Sequence, residues 1–142
     1  MNLDAYAQLQ HWLVDGIVAD RNHVLAGKTA LMSDLRALGT AATPNALHLE
    51  APAQPLGVMY VVAGSRLGNA VIRKKLRDAP FAAKASGFLH LDGTEALWRS
   101  VQGRLEAAPT EDADAIAASA SATFACFHQA LKAEDQRVRQ RI

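Results

Sequence analysis

Two glycines and five histidines are the residues whose types and spacing suit them to chemistry. Gly64 and Gly68 stand four apart within the stretch from Leu56 to Lys75, LGVMYVVAGSRLGNAVIRKK, which has helix-forming length, an apolar start and a basic end. At 3.6 residues per turn the two glycines stack on one face. Each costs about 1 kcal/mol relative to alanine in a helix interior, and what they leave is a bare strip of backbone that a flat ligand or another helix can approach closely. Spacing alone leaves both occupants open. Ser65 can bond back to a carbonyl of the preceding turn and help bend the helix. The histidines are His11, His23, His48, His90 and His128. His11 and Asp15 are four apart, so the carboxylate can orient the ring as it would for a metal ligand. A lone histidine is more often a surface or satisfied core residue.

Other chemistries find no support. AGSRLG is not the G-x-S-x-G turn of a serine nucleophile, GSRLGNA lacks the lysine and preceding strand of a phosphate loop, and no pair of histidines has the HExxH spacing. Trp12 and Trp98 sit at helical positions beside apolar neighbours and read as core packing. Cys126, the only cysteine, excludes an intrachain disulfide and reads as a small buried thiol among Phe124, Ala125 and Phe127.

The elements that must position these residues are helices. The chain has 142 residues, half of them hydrophobic and 20% charged, with a formal net charge of +1. That composition suits a single all-α domain over residues 1–142 and gives no broad nucleic-acid or membrane surface. The basic residues Arg66, Arg73, Lys74, Lys75 and Arg77, then Arg137, Arg139 and Arg141, read as solvated helix C-termini. The start MNLDAYAQLQ has no signal-peptide pattern, and the apolar run from Val58 to Ala63 is too short to cross a bilayer. A cytoplasmic location is the expectation.

The periodicity predicts a first helix over 3–26, stopped at Gly27, and a second over 28–38 with Gly39 just past its end. Pro44, Pro52 and Pro55 then mark a connection. The glycine-bearing helix follows and ends before Asp78. Residues 81–93 suggest a short helical turn before Gly87, and Asp92-Gly93 signals a turn. A helix over 94–107 carries Leu97, Trp98, Val101 and Leu105. The last helix is expected to be capped by Thr110, with Ile116, Ala120, Thr123, Phe124, Phe127 and Leu131 on its apolar face.

The segment GVMYVVAGSRLGNAVI resembles the distal-helix motif of the bacterial biliverdin-producing haem oxygenases, roughly G-W-L-Y-x-x-E-G-S-x-L-G-G/A. Gly57, Tyr60, Gly64, Ser65, Leu67 and Gly68 match it. LMSDLRALG, from Leu31 to Gly39, resembles the family's D-L-x-x-L-G segment; FLHLDG…LWRSVQGRLEA resembles its segment ending in W-R-x-F-x-x-x-L; and ATFACFHQAL resembles its A-x-x-x-F-x-x-F/Y ending. Ala63 stands in place of the usual glutamate and Asn69 in place of the usual small residue.

The resemblance implies a haem-oxygenase-like multi-helix fold, shortened at the N-terminus. It also implies haem or a related tetrapyrrole held between a proximal and a bent distal helix, and oxygen-dependent cleavage to biliverdin, carbon monoxide and iron. Gly64 and Gly68 would form the catalytic face against the haem, with Tyr60 toward a propionate and Ser65 beside them. His11 would be the iron ligand if His11 to Asp15 is the family's H-x-x-V-D. In the other alignment DAYAQLQHWL is the second helix and the proximal helix is absent, and the lengths from Tyr6 to Gly39 favour that alignment. An electron-donor protein is implied as partner for catalysis. A non-catalytic homologue would instead cover the exposed distal helix with a second copy, as a homodimer.

Overall fold

The computed structural model describes residues 18–40 and 54–140. Among them lie five α-helices and no strand: α1 (Val18–Ala37), α2 (Pro55–Leu67), α3 (Asn69–Leu76), α4 (Thr94–Ala107) and α5 (Ala113–Gln140). Short 3-10 turns over Phe88–His90 and Thr110–Asp112 precede α4 and α5. The all-α fold expected from the periodicity is the fold observed. No described helix is long and apolar enough to cross a membrane.

α2 is the centre. Its mean hydropathy is the highest of the helices, and Gly57, Val58, Met59, Val61, Val62, Ala63 and Arg66 are buried along it. It packs against both α5 and α4. Pro55 opens it at the first turn, where a missing N–H goes unneeded. The N–H of Gln54 donates to Ser119 Oγ at 2.8 Å, which ties that start to α5. The buried stripe of α5 is Ser119, Thr123, Cys126 and Ala130, all small. Small residues there let the two backbones close. A Cβ built on Gly57 would lie 2.3 Å from the Ile116 carbonyl oxygen and 3.0 Å from the Ala120 nitrogen. This close approach moves the bulkier side chains off the seam: Phe124 is 57% and Leu131 69% exposed, against the apolar face expected for them. Thr123 is buried as expected, and its hydroxyl donates to the Ser119 carbonyl at 2.8 Å. Cys126 is buried too, and burial pushes its thiol pKa above the ordinary value, so the neutral form is favoured.

Other boundaries move. α1 runs unbroken through Gly27, which is buried in the helix interior; the expected stop fails because Gly27 keeps a negative φ. Gly39, at φ 73°, supplies the left-handed stop, and Gly93, at φ 77°, makes the expected turn before α4. The expected helical turn before Gly87 forms, with the Ala85 N–H bonded to the Phe81 carbonyl at 3.0 Å, and a 3-10 turn over Phe88–His90 follows it. No side-chain cap from Thr110 forms; the last helix instead enters through a 3-10 turn in which the Asp112 N–H bonds the Pro109 carbonyl at 3.0 Å. The residues 1–17 and most of the proline connection lie outside the described residues.

α1 joins the rest through Asp34. Its carboxylate accepts the Gly87 N–H at 2.8 Å and the Phe88 N–H at 2.9 Å, and so holds the start of the 3-10 turn. Asp34 is nearly buried, at 9% exposure. Removing it leaves the buried Phe88 N–H and the part-buried Gly87 N–H without their acceptor. Asp34→Ala is therefore expected to lower unfolding free energy by about 2–3 kcal/mol in a urea titration; an unchanged midpoint would show that water takes over both bonds.

Candidate functional site

The backbone of the glycine-bearing segment is broken where the second glycine stands. α2 ends at Leu67 and α3 begins at Asn69. Across the joint the bonding tightens from four-residue to three-residue reach: the Gly68 N–H bonds the Ser65 carbonyl at 3.2 Å, and the Val71 N–H bonds the Gly68 carbonyl at 3.1 Å. Ser65 adds to the distortion as expected, since its hydroxyl donates to the Val62 carbonyl at 2.8 Å. That hydroxyl proton is therefore used inside the helix.

Tyr60, Gly64, Leu67, Gly68 and Val71 lie at spacings of three and four, which places them along one side of α2 and α3. That side is the one the described residues leave uncovered. Tyr60 and Leu67 are each 39% exposed and Val71 is 59% exposed, with Ile72 open beside them. The two glycines within the stripe differ from Gly57 in what a side chain would meet. At Gly68 a Cβ would touch only the Ser65 carbonyl oxygen of its own turn, at 3.4 Å; at Gly64 it would meet only the Trp98 ring, at 3.4 and 3.9 Å. Packing among the described residues thus explains Gly57 and gives Gly68 no reason of that kind. The chain accepts the helix-breaking tendency of that residue on a surface facing outward.

One wall of the strip comes from α4. The Trp98 ring stands over Gly64 and against Tyr60, with ring centroids 5.7 Å apart and planes at 38°. Core packing was the sequence expectation for Trp98; it is half-buried, packs on the core at one side and borders the strip at the other. The Tyr60 hydroxyl has no hydrogen-bond partner among the described residues, and the phenol sits at the open edge.

The residues at the two departures from the family motif have structural roles here. Ala63 is completely buried in the core beneath the strip. Asn69 is buried and its Nδ2 donates to the Phe88 carbonyl at 3.2 Å, fixing α3 to the 3-10 turn. Arg66 departs from the solvated reading: it is 3% exposed and donates to the His23 carbonyl, a bond between α2 and α1, while its Nε has no partner among the described residues. Arg73, Lys74, Lys75 and Arg77 are exposed as expected.

Of the histidines, His11 and His48 lie outside the described residues. His23 is on α1, tied by its carbonyl to Arg66. His90 is exposed with Nδ1 2.8 Å from the Ser86 carbonyl, and His128 is exposed on α5, which continues a further three turns to Gln140. Among the described residues no three of His, Cys, Asp and Glu gather at a metal-sized site. The structure thus brings Tyr60, Gly64 and Gly68 to one open face, with Ser65 at its side, and leaves the iron-ligand expectation for His11 outside the described residues. Sequence reasoning missed Trp98, Val71 and Ile72 as neighbours of the strip; their helical register with the glycines was the available signal.

No protein-family model matches the chain, and no solved structure does. A protein of Xanthomonas campestris pv. campestris (strain 8004), named heme oxygenase, is 40% identical over 136 aligned residues. The match covers 89% of this chain and 79% of that relative. The helical fold, the broken glycine-bearing helix and this identity over most of both chains agree, and the chain belongs to the haem oxygenase family.

Proposed function

We propose that the open strip of α2 and α3 is the distal wall of a haem site, and that the protein cleaves haem with oxygen to biliverdin, carbon monoxide and iron. The observation that carries this reading is Gly68: a bare, outward-facing backbone position with no packing reason among the described residues. The residues present fit a flat macrocycle on this side. Gly64 and Gly68 offer backbone without side chains, Leu67 and Val71 offer apolar edges, and Trp98 closes one flank. When bound, haem supplies the iron and the porphyrin carbon at which oxygen acts.

The chain's own residues do the positioning. The glycine backbone sets how near the macrocycle comes, and the strip's apolar residues keep water from that face. The Tyr60 phenol holds a propionate and so fixes rotation of the ring in its plane. The Ser65 proton is committed to Val62, so its hydroxyl oxygen offers a lone pair rather than a donor to that side. The enzyme reading takes the alignment of His11 to Asp15 with H-x-x-V-D, which makes His11 the ligand proposed for the iron, and electrons come from a separate donor protein.

A second reading is a non-catalytic member of the family whose strip is closed by a second copy of the chain. The exposed Leu67, Val71 and Ile72 favour it. Titration with haem separates the two. The enzyme reading expects saturation at one haem per chain, a sharp Soret band and a histidine-ligated spectrum that His11→Ala abolishes. No uptake at stoichiometric haem, with sedimentation as a dimer, would overturn the enzyme reading in favour of the second.

A further inference from the structure

A second concavity lies on the other side of α3. Val71 belongs to the open strip, whereas Ala70, Arg73, Lys74 and Arg77 line a solvent-open concavity of about 530 Å³ bordered on its other side by residues of the segment 81–90. That volume falls within the range of small-molecule sites. Phe81 and Leu89 line it with apolar surface, and Arg73, Lys74 and Arg77 line it with positive charge. No carboxylate lines it.

A basic last turn is favoured by the helix dipole alone, so the charges need a further reason to be read as a site. Two observations supply one. The side chains line a concavity that Phe81 also lines instead of standing on an open convex face. Arg73 and Lys74 also form no ion pair among the described residues, and Arg77 has only a loose contact, 4.0 Å, with the exposed Asp78. Uncompensated cations gathered on one side of a concavity repel each other, and an anion between them relieves that repulsion. Arg77 keeps helical backbone angles just past Leu76, so Arg73 and Arg77 stand one turn apart on the same side. Two guanidinium forks so placed suit the paired oxygens of a carboxylate.

We infer that this cavity is a second ligand site, separate from the strip, that takes an organic anion: a flat or aliphatic apolar body bearing a carboxylate. The body lies on Phe81 and Leu89 and the carboxylate meets Arg73 and Arg77. The site does not depend on what the strip binds.

The test uses 2-naphthoate as the anion, 2-naphthylmethanol as its neutral counterpart and inorganic phosphate as an anion without an apolar body, each titrated into the 15N-labelled full chain. Naphthoate should shift amides of residues 70–90 saturably, and the alcohol and phosphate should bind at least about tenfold more weakly. Arg73→Ala with Arg77→Ala should weaken naphthoate at least tenfold while the rest of the spectrum, and hence the fold, is kept. Gly68→Leu, which fills the strip, should leave naphthoate binding unchanged. Equal binding of the alcohol, shifts confined to 60–68 and lost in Gly68→Leu, or no shift at millimolar naphthoate would each overturn the inference.

Discussion

Gly57→Ala is expected to lower the unfolding free energy by about 2 kcal/mol or more, read from a urea titration. The added methyl would stand 2.3 Å from the Ile116 carbonyl oxygen, 2.9 Å from the Ser119 Cβ and 3.0 Å from the Ala120 nitrogen. Two of these three atoms are backbone, so no rotamer change relieves the contact; α2 and α5 must move apart. That separation also strains the bond from the Gln54 N–H to Ser119 and loosens Val58 and Val62 in the core. The helix-propensity gain from replacing glycine, at most about 1 kcal/mol, is too small to offset this. A variant as stable as the parent would mean that the helices do not cross as closely as described.

The opposite sign is expected eleven residues away in stability, with a large loss in binding. At Gly68 the backbone angles, φ −70° and ψ −16°, suit any L-residue, and a methyl meets only one atom, at ordinary contact distance. Gly68→Ala should therefore stabilise the protein by about 0.5–1 kcal/mol. Gly68→Leu should fold with stability within about 0.5 kcal/mol of the parent, as for other exposed helical substitutions. Its side chain would occupy the space in which the proposed haem lies, and haem affinity should fall at least about 100-fold, or roughly 2.7 kcal/mol. Better folding joined to poorer binding is the signature of a residue kept for a ligand rather than for the fold. Tight haem binding by Gly68→Leu would remove the strip from the binding site.

Much of this was legible in the order of residues. The bounds of α4, the turn at Asp92-Gly93, the stop at Gly39 and the burial of Cys126 follow from local chemistry, which acts over one or two turns and is written in adjacent residues. The stacking of Gly64 and Gly68, and the back-bonding of Ser65, were readable for the same reason. What could not be read depends on distant segments. Gly27 reads as a stop, yet it lies buried within α1 and keeps helical backbone. Gly57 looks like one more glycine of the motif until α5 is seen to cross it. Phe124 and Leu131 have the right period for a core face, but the close crossing selects Ser119, Thr123, Cys126 and Ala130 instead. Arg66 reads as surface until the His23 carbonyl is found beside it. Asp34 belongs to a segment resembling the family's, but its work on Gly87 and Phe88 spans more than fifty residues of sequence.

The central claim is that the uncovered strip of α2 and α3 is the face on which a flat tetrapyrrole rests. Zinc protoporphyrin, diamagnetic and with a strong ring current, tests it most directly when added at one equivalent to the 15N-labelled chain. The account predicts that the largest amide shifts fall on Tyr60, Gly64, Leu67, Gly68 and Val71, with the Trp98 indole N–H shifted beside them. Largest shifts on α5, on the cavity lined by Arg73 and Phe81, or nowhere at all, would contradict it.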